Sequence, residues 1–175
     1  NLFDKAPVGH VLKRLDDGQF VAINPAFEAM TGYSLDELNQ LDPWDLTPKR
    51  YQLSETEQLE RLKQTRRYGP YQKHYVHKNG QLVAVRLNGA LVTGADGEQL
   101  ILFIVEDITE QERTVARVNL LAQVFQQSGE GITIMDANDI IVDVNSAFSQ
   151  ITGYSREEII GKNCRFLEAE RTDKG

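Results

Sequence analysis

At 175 residues, 41% hydrophobic and 26% charged, the chain has the composition of an ordinary globular protein of one or two domains. Its net charge of −7 argues against a nucleic-acid partner, and its lone cysteine, Cys164, excludes an intrachain disulfide and fits a reducing, cytoplasmic setting. The longest apolar run, 100–105, is far short of the roughly 20 residues of a membrane helix, so no membrane contact is expected. The chain has no initiator Met and no signal peptide, the pattern of a segment cut from a longer protein.

Residues 9–15 and 20–23 read as short strands around the turn Asp16-Asp17-Gly18. Asn24 is a favourable N-cap, with Pro25 at the first helical position, and Gly32 marks the end of that helix. Ser34-x-x-Glu37 is a capping box that opens a second short helix. The stretch 24–38 then recurs at 145–159, with eight of fifteen positions identical, including the whole Thr-Gly-Tyr-Ser block. A repeat 121 residues apart is domain-sized, so both copies are expected to fold as strand, strand, helix, short helix.

Only the first copy continues into a complete pattern. Thr47-Pro48 reads as an N-cap and first position of a helix running to about residue 67, its end decorated by the basic run 61–67. Gly69-Pro70 is expected to break it. Residues 71–78 and 81–92 form a hairpin across Asn79-Gly80, and 99–106 forms a last strand after the turn Ala95-Asp96-Gly97. Local hairpins imply an antiparallel sheet in the order β-β-α-α-α-β-β-β. From Ile108 onward, Ile108, Val115, Val118, Ala122 and Phe125 follow heptad spacing. That seam fits either a contact between two chains or an amphipathic helix packed on its own domain.

These features resemble the PAS family of sensor domains. The resemblance is carried by N-P-A-F-x-x-x-T-G-Y-S-x-x-E-L, by the turn His77-Lys78-Asn79-Gly80, and by the closing run Glu106-Asp107-Ile108-Thr109-Glu110. It implies an α+β PAS fold: a five-stranded antiparallel sheet with helices on one face, enclosing a small cavity. It divides the chain into a complete first domain (1–109), a signalling helix (110–127) and the opening half of a second domain (128–175). Such domains sense a ligand, a redox state or light, or dimerise, and pass the result through a helix. The implied partners are a second copy of the chain and an effector in the same polypeptide, a cyclic-di-GMP enzyme or histidine kinase outside these residues. A ligand-free dimerisation scaffold is the alternative. No phosphate-cradling loop, nucleophile elbow or zinc-protease motif points to catalysis within the chain.

The cofactor expected from the sequence is none, or an unknown small ligand. In the first domain Phe27, Met30, Trp44, Leu46, Val85 and Leu87 are candidates to line a cavity or fill a core. Arg86 and Asn88 share one strand face, inward for a polar or anionic ligand, outward if merely solvated. No histidine lies within 48–67 to hold haem, His74 and His77 face opposite sides, and no metal site is expected. Glu55, Glu57 and Glu60, and also Glu157 and Glu158, read as solvated helix faces. In the second copy, Gly161-Lys162-Asn163-Cys164-Arg165-Phe166-Leu167-Glu168, followed by Thr172-Asp173, resembles the flavin motif of LOV photoreceptors. Carried over, Cys164 would form the adduct with FMN, Arg165 would meet the phosphate and Asn163 would contact the cofactor. Glu168 departs from the motif's Gln, and the turn 136–139 is shorter than LOV loops. Otherwise Cys164 is a small buried hydrophobe. The equivalent position in the first copy is Pro43.

Overall fold

The computed structural model describes residues 1–173, so Gly175 lies outside the described residues. Two compact units are present, 1–113 and 114–175. The first contains α1 (Leu2–Lys5), β1 (Gly9–Arg14), β2 (Phe20–Ile23), α2 (Pro25–Thr31), α3 (Leu35–Gln40) and α4 (Pro43–Leu46). A 3-10 turn (Lys49–Tyr51) follows, then α5 (Gln52–Thr65), β3 (Arg67–Val76), β4 (Leu82–Thr93) and β5 (Gln99–Asp107). The strands form one sheet in the order β2-β1-β5-β4-β3, antiparallel as expected from the local hairpins, with β1 and β5 paired across the length of the unit.

Strand parity builds the core. Val11 on β1, Tyr75 on β3, Val85 and Leu87 on β4, and Phe103 and Val105 on β5 turn inward. There they meet Phe27, Leu38, Leu46 and Leu62 from the helices. The helices therefore bury their apolar residues on the same sheet face that the strands present.

The repeated motif is a joint. Asn24 is fully buried, and its Oδ1 accepts from the His10 and Phe27 N–H groups at 2.8 and 3.1 Å. Its Nδ2 donates to the carbonyls of Phe3 and Val8 at 3.1 and 2.9 Å. One amide thus caps α2 and fixes the start of β1. At the end of α2, Gly32 adopts φ 77°, and a Cβ there would lie 2.7 Å from the His77 ring. The Lys78 N–H donates to the Thr31 carbonyl, so the Thr-Gly block docks on the β3–β4 turn.

Three expectations change at the middle of the unit. Asp42, not Thr47, caps a helix here, with Pro43 at the first position, and Thr47 ends that short α4. The long helix stops at Thr65 with Arg66 in the left-handed region. Gly69-Pro70 therefore does not break a helix; it lies inside β3, where the register against β4 shifts between Tyr68 and Tyr71. A bulge accommodates a proline that an uninterrupted ladder would reject.

The second unit repeats the joint. Helix α6 (Thr109–Gln127) begins in the first unit and continues in the second, followed by β6 (Thr133–Met135), β7 (Ile141–Val144), α7 (Ser146–Thr152), α8 (Arg156–Ile159) and α9 (Arg165–Asp173). Asn145 Oδ1 accepts from Ile132 and Phe148 N–H at 2.8 and 3.0 Å, and Nδ2 donates to the Glu130 carbonyl at 2.9 Å. The reciprocal capping box forms here, between Ser155 and Glu158. In the first copy Ser34 caps its helix, but the Glu37 carboxylate pairs with Lys78 instead. A small core of Ile141, Val144, Phe148 and Ile159 closes the second unit.

Asn24→Ala removes four hydrogen bonds and strands buried backbone groups. Urea unfolding should show a loss on the order of 3 kcal/mol or more. Asn24→Asp keeps the acceptor but turns a carboxylate oxygen toward the Phe3 and Val8 carbonyls in a fully buried site, so it should not rescue stability. A loss under about 1 kcal/mol for the alanine variant would mean that the amide is not the joint.

Candidate functional site: a charged cavity in the first unit

A cavity of about 220 Å³ lies between the helices and the inner sheet face of the first unit. Its sheet wall comprises Val11, Lys13, Tyr68, Lys73, Tyr75, Leu87 and Phe103. Phe20, Leu38, Leu41, Pro43, Leu46, Glu55 and Leu59 close the other sides. Most of this lining is apolar or aromatic. Lys13, Lys73 and Glu55 are the groups that give it charge, with Asp17 and Asp42 at exposed positions of the lining.

Lys73 is paired. Its Nζ donates to the Thr47 hydroxyl at 3.1 Å and to the Glu55 carboxylate, with 8% and 20% of the two charged side chains exposed. Burial pulls the Lys73 pKa below its ordinary value, and Glu55 opposes that pull. Lys13 is different. Its ammonium lies 4.6 Å from the centre of the Phe20 ring and makes no hydrogen bond among the described residues. Part of its surface remains accessible, as befits a residue lining a cavity, while the surrounding protein desolvates the ammonium. Burial, and then repulsion from Lys73, lower its pKa to about 8, against the attraction of Glu55. Burial, reinforced by Glu55, pushes the Tyr68 and Tyr75 hydroxyls well above their ordinary range, so both stay protonated. The chemistry available is recognition through an ammonium and two phenols; no nucleophile–base pair is assembled here.

The candidates from the sequence distribute unevenly. Leu46 and Leu87 line the cavity, whereas Phe27 and Val85 are fully buried in the core and Met30 packs against it. Trp44 is half-buried; its neighbours Leu41, Asp42 and Pro43 form the wall instead. Arg86 and Asn88 point outward. Arg86 meets its cross-strand partner Glu106 at 2.8 Å, and Asn88 is exposed, so neither serves an inward ligand. Glu55 is not part of a solvated face: it turns into the cavity to meet Lys73. Lys13 and Lys73 were missed because lysine reads as surface. The available signal was parity, since Lys13 is two residues from Val11 and Lys73 two from Tyr75.

Elsewhere, the His74 ring nitrogens meet the Tyr51 hydroxyl at 2.6 Å and the Glu112 carboxylate at 3.1 Å. Among the described residues no group of three His, Cys, Asp or Glu is placed to hold a metal ion. None of their helices is long and apolar enough to cross a membrane. Ile108 leaves the helical seam altogether: it is 5% exposed, and its N–H donates to the Ala84 carbonyl. Val115 and Val118 are each 59% exposed, Ala122 is exposed and Phe125 half-buried. Leu120, Leu121 and Val124 add apolar surface that heptad counting passed over.

In the second unit Cys164 is half-buried, and its N–H donates to the Asp139 carbonyl. Asn163 Oδ1 accepts from the Arg165 N–H at 3.0 Å, and the Arg165 side chain is exposed. The described residues offer counterparts of β1, β2, α2 and α3 of the first unit. They supply no counterpart of β3–β5, which form most of the first cavity's sheet wall, and so do not by themselves enclose a flavin.

The profile of the PAS domain matches residues 7–110 and 129–174. The chain belongs to the PAS domain family. Among similar proteins, sensor histidine kinase TmoS of Ectopseudomonas mendocina is 29% identical over 154 residues, 86% of this chain and 16% of that protein. Blue-light-activated histidine kinase 2 of Erythrobacter litoralis is 49% identical over 47 residues, 25% of this chain and 14% of that protein. The chain therefore spans less than a fifth of either relative. A solved domain of the sensory box sensor histidine kinase/response regulator of Geobacter sulfurreducens is 26% identical, with a TM-score of 0.51, covering 61% of this chain and 88% of that one. The sensory box histidine kinase/response regulator of Burkholderia thailandensis, at 15% identity and a TM-score of 0.56, shares the PAS fold over 73% of this chain and 96% of its own.

Lys13→Met should stabilise the protein at neutral pH, by about 1–3 kcal/mol, because a desolvated ammonium is replaced by an apolar side chain of similar length. The folded pKa of Lys13 lies below its ordinary 10.5, so the penalty is complete below about 8 and fades as pH rises toward 10.5. The gap between parent and variant, read by urea unfolding, should narrow over that window. Glu55→Gln should instead destabilise by about 3 kcal/mol, since it leaves the Lys73 charge buried without its partner.

Proposed function

We propose that the chain is a sensory and regulatory PAS module in which the state of the first unit sets the arrangement of helix α6 and, through it, a downstream effector. The division that goes with this reading is a complete PAS domain at 1–109, a signalling helix at 110–127 and the opening half of a second PAS domain at 128–175. The observation that carries it is continuity. Phe103 walls the cavity, Val105 and Ile108 are buried beside it, and the next residue, Thr109, begins α6. A change in what fills the cavity bears directly on the strand that becomes the helix. The effector is a histidine kinase, as the relatives' names support, or a cyclic-di-GMP enzyme in the same polypeptide.

Homodimerisation through α6 belongs to the same proposal. Val115, Val118, Leu121, Ala122 and Phe125 fall on one helical face, while Leu120 and Val124 lie on another. A helix with that much uncovered apolar surface is stabilised by a partner, and a second copy offers the same face. Val118→Glu should convert a dimer to a monomer in sedimentation experiments; an unchanged dimer would place the interface elsewhere.

A second reading is favoured by the similarity to blue-light-activated histidine kinase 2. In it a longer form of the second unit binds FMN beside Cys164, with Asn163 and Arg165 as contacts. An absorption spectrum of a protein carrying the extended second unit decides this: flavin bands in the blue, bleached reversibly by light and insensitive to light in Cys164→Ala, are expected, and their absence removes the reading.

A further inference from the structure

We propose that the first-unit cavity binds a small monocarboxylate with an apolar body, its carboxylate held by Lys13 and the hydroxyls of Tyr68 and Tyr75. This rests on the reading of that cavity as the sensory site and names the class of ligand it takes.

The argument begins with unspent donors. Lys73 already gives its hydrogens to Thr47 and Glu55. Lys13 Nζ has no hydrogen-bond partner among the described residues, and neither have the Tyr68 and Tyr75 hydroxyls, although both tyrosines are only 5% exposed. All three line the same space. Among the described residues no buried side-chain polar atom lacks a partner, so these donors keep access to the cavity, and three donors lining one space suit an acceptor from outside the chain.

Charge selects among acceptors. Lys13, Lys73 and Glu55 together leave one positive charge among the inner groups of a wall whose other members are apolar, aromatic or neutral polar, apart from the exposed Asp17 and Asp42. A single negative charge neutralises it; a dianion such as phosphate would bury a second charge without a partner. Asp17 pairs with Arg14, Asp42 caps Trp44 from an exposed position, and the charges that act on Lys13 are Lys73 and Glu55, so neither aspartate supplies its counter-charge. Volume selects the body. About 220 Å³ admits a ligand of roughly ten non-hydrogen atoms. The walls of Phe20, Leu46, Leu87 and Phe103 suit a ring or short alkyl chain.

The charges that act on Lys13 are Lys73 from β3 and Glu55 from α5, while Tyr68 and Tyr75 from β3 and the exposed Asp17 and Asp42 line the same cavity. Burial brings the Lys13 pKa down to about 8, so its charge is lost in mildly alkaline solution. Carboxylate affinity should therefore weaken as pH rises from about 7 to about 9.5.

Benzoate and its neutral counterpart benzamide serve as probes, titrated calorimetrically into the full chain at neutral pH, with inorganic phosphate as a third. Benzoate should bind, benzamide at least about tenfold more weakly, and phosphate not measurably. Lys13→Met, and Lys13→Gln as a polar control, should each weaken benzoate by about tenfold to a hundredfold while circular dichroism and unfolding confirm a folded chain. Benzamide binding as tightly as benzoate, or benzoate binding equally to parent and Lys13→Met, overturns the carboxylate assignment and leaves a neutral-ligand cavity. Phosphate displacing benzoate overturns the monoanion. Binding of none of the three overturns the assignment and counts against the sensory reading of the cavity as well.

Discussion

The first unit depends on a single amide. Asn24 exchanges hydrogen bonds with His10 in both directions, its own N–H donating to the His10 carbonyl at 3.0 Å while its Oδ1 accepts the His10 N–H. That places His10 on the outer side of β1 and obliges Gly9, Val11 and Lys13 to face inward. A one-residue slip would send all three to solvent and take the cavity's lysine with them. The same amide begins α2, whose Phe27 fills the space above Gly9 so closely that a Cβ there would meet its ring at 3.1 Å. Register, helix entry and the charge inside the cavity are consequences of one side chain.

Electrostatics in the cavity follows from burial more than from pairing. Lys73 and Glu55 satisfy each other and hold α5 against β3, with Thr47 as a third member at the end of α4. Lys13 is left with the face of Phe20, which attracts a cation but takes none of its hydrogens. A core that keeps such a group is less stable than it could be, the usual condition of a site built to bind.

The sequence made the framework legible because its punctuation is local. Asn24, Gly32, Ser34 and the Asn79-Gly80 turn each act within a few residues, and the repetition at Asn145, Gly153 and Ser155 doubles the signal. The middle of the unit was harder. Thr47-Pro48 looks like a helix start, yet Asp42 makes the cap, and the Thr47 hydroxyl is taken by Lys73, 26 residues away. Glu55 was misread for the same reason, since nothing within one helical turn announces a partner on a strand. Gly69-Pro70 resembled a helix stop because a bulge is defined by the neighbouring strand, which periodicity along one chain does not contain. Arg86 and Asn88 were correctly placed on one face, but which face depended on the parity of Val85 and Leu87.

His74 connects two parts of the first unit that share no sequence signal. Its ring touches Tyr51, just ahead of α5, and Glu112, in the first turn of α6. The 19 residues of α6 make a rod of about 28 Å. A rod held at its root acts as a lever: a tilt of about 10° there displaces the far end by about 5 Å, close to one helical turn. A displacement too small to break a core contact at the root thus becomes, at the tip, large enough to exchange one set of side-chain neighbours for another.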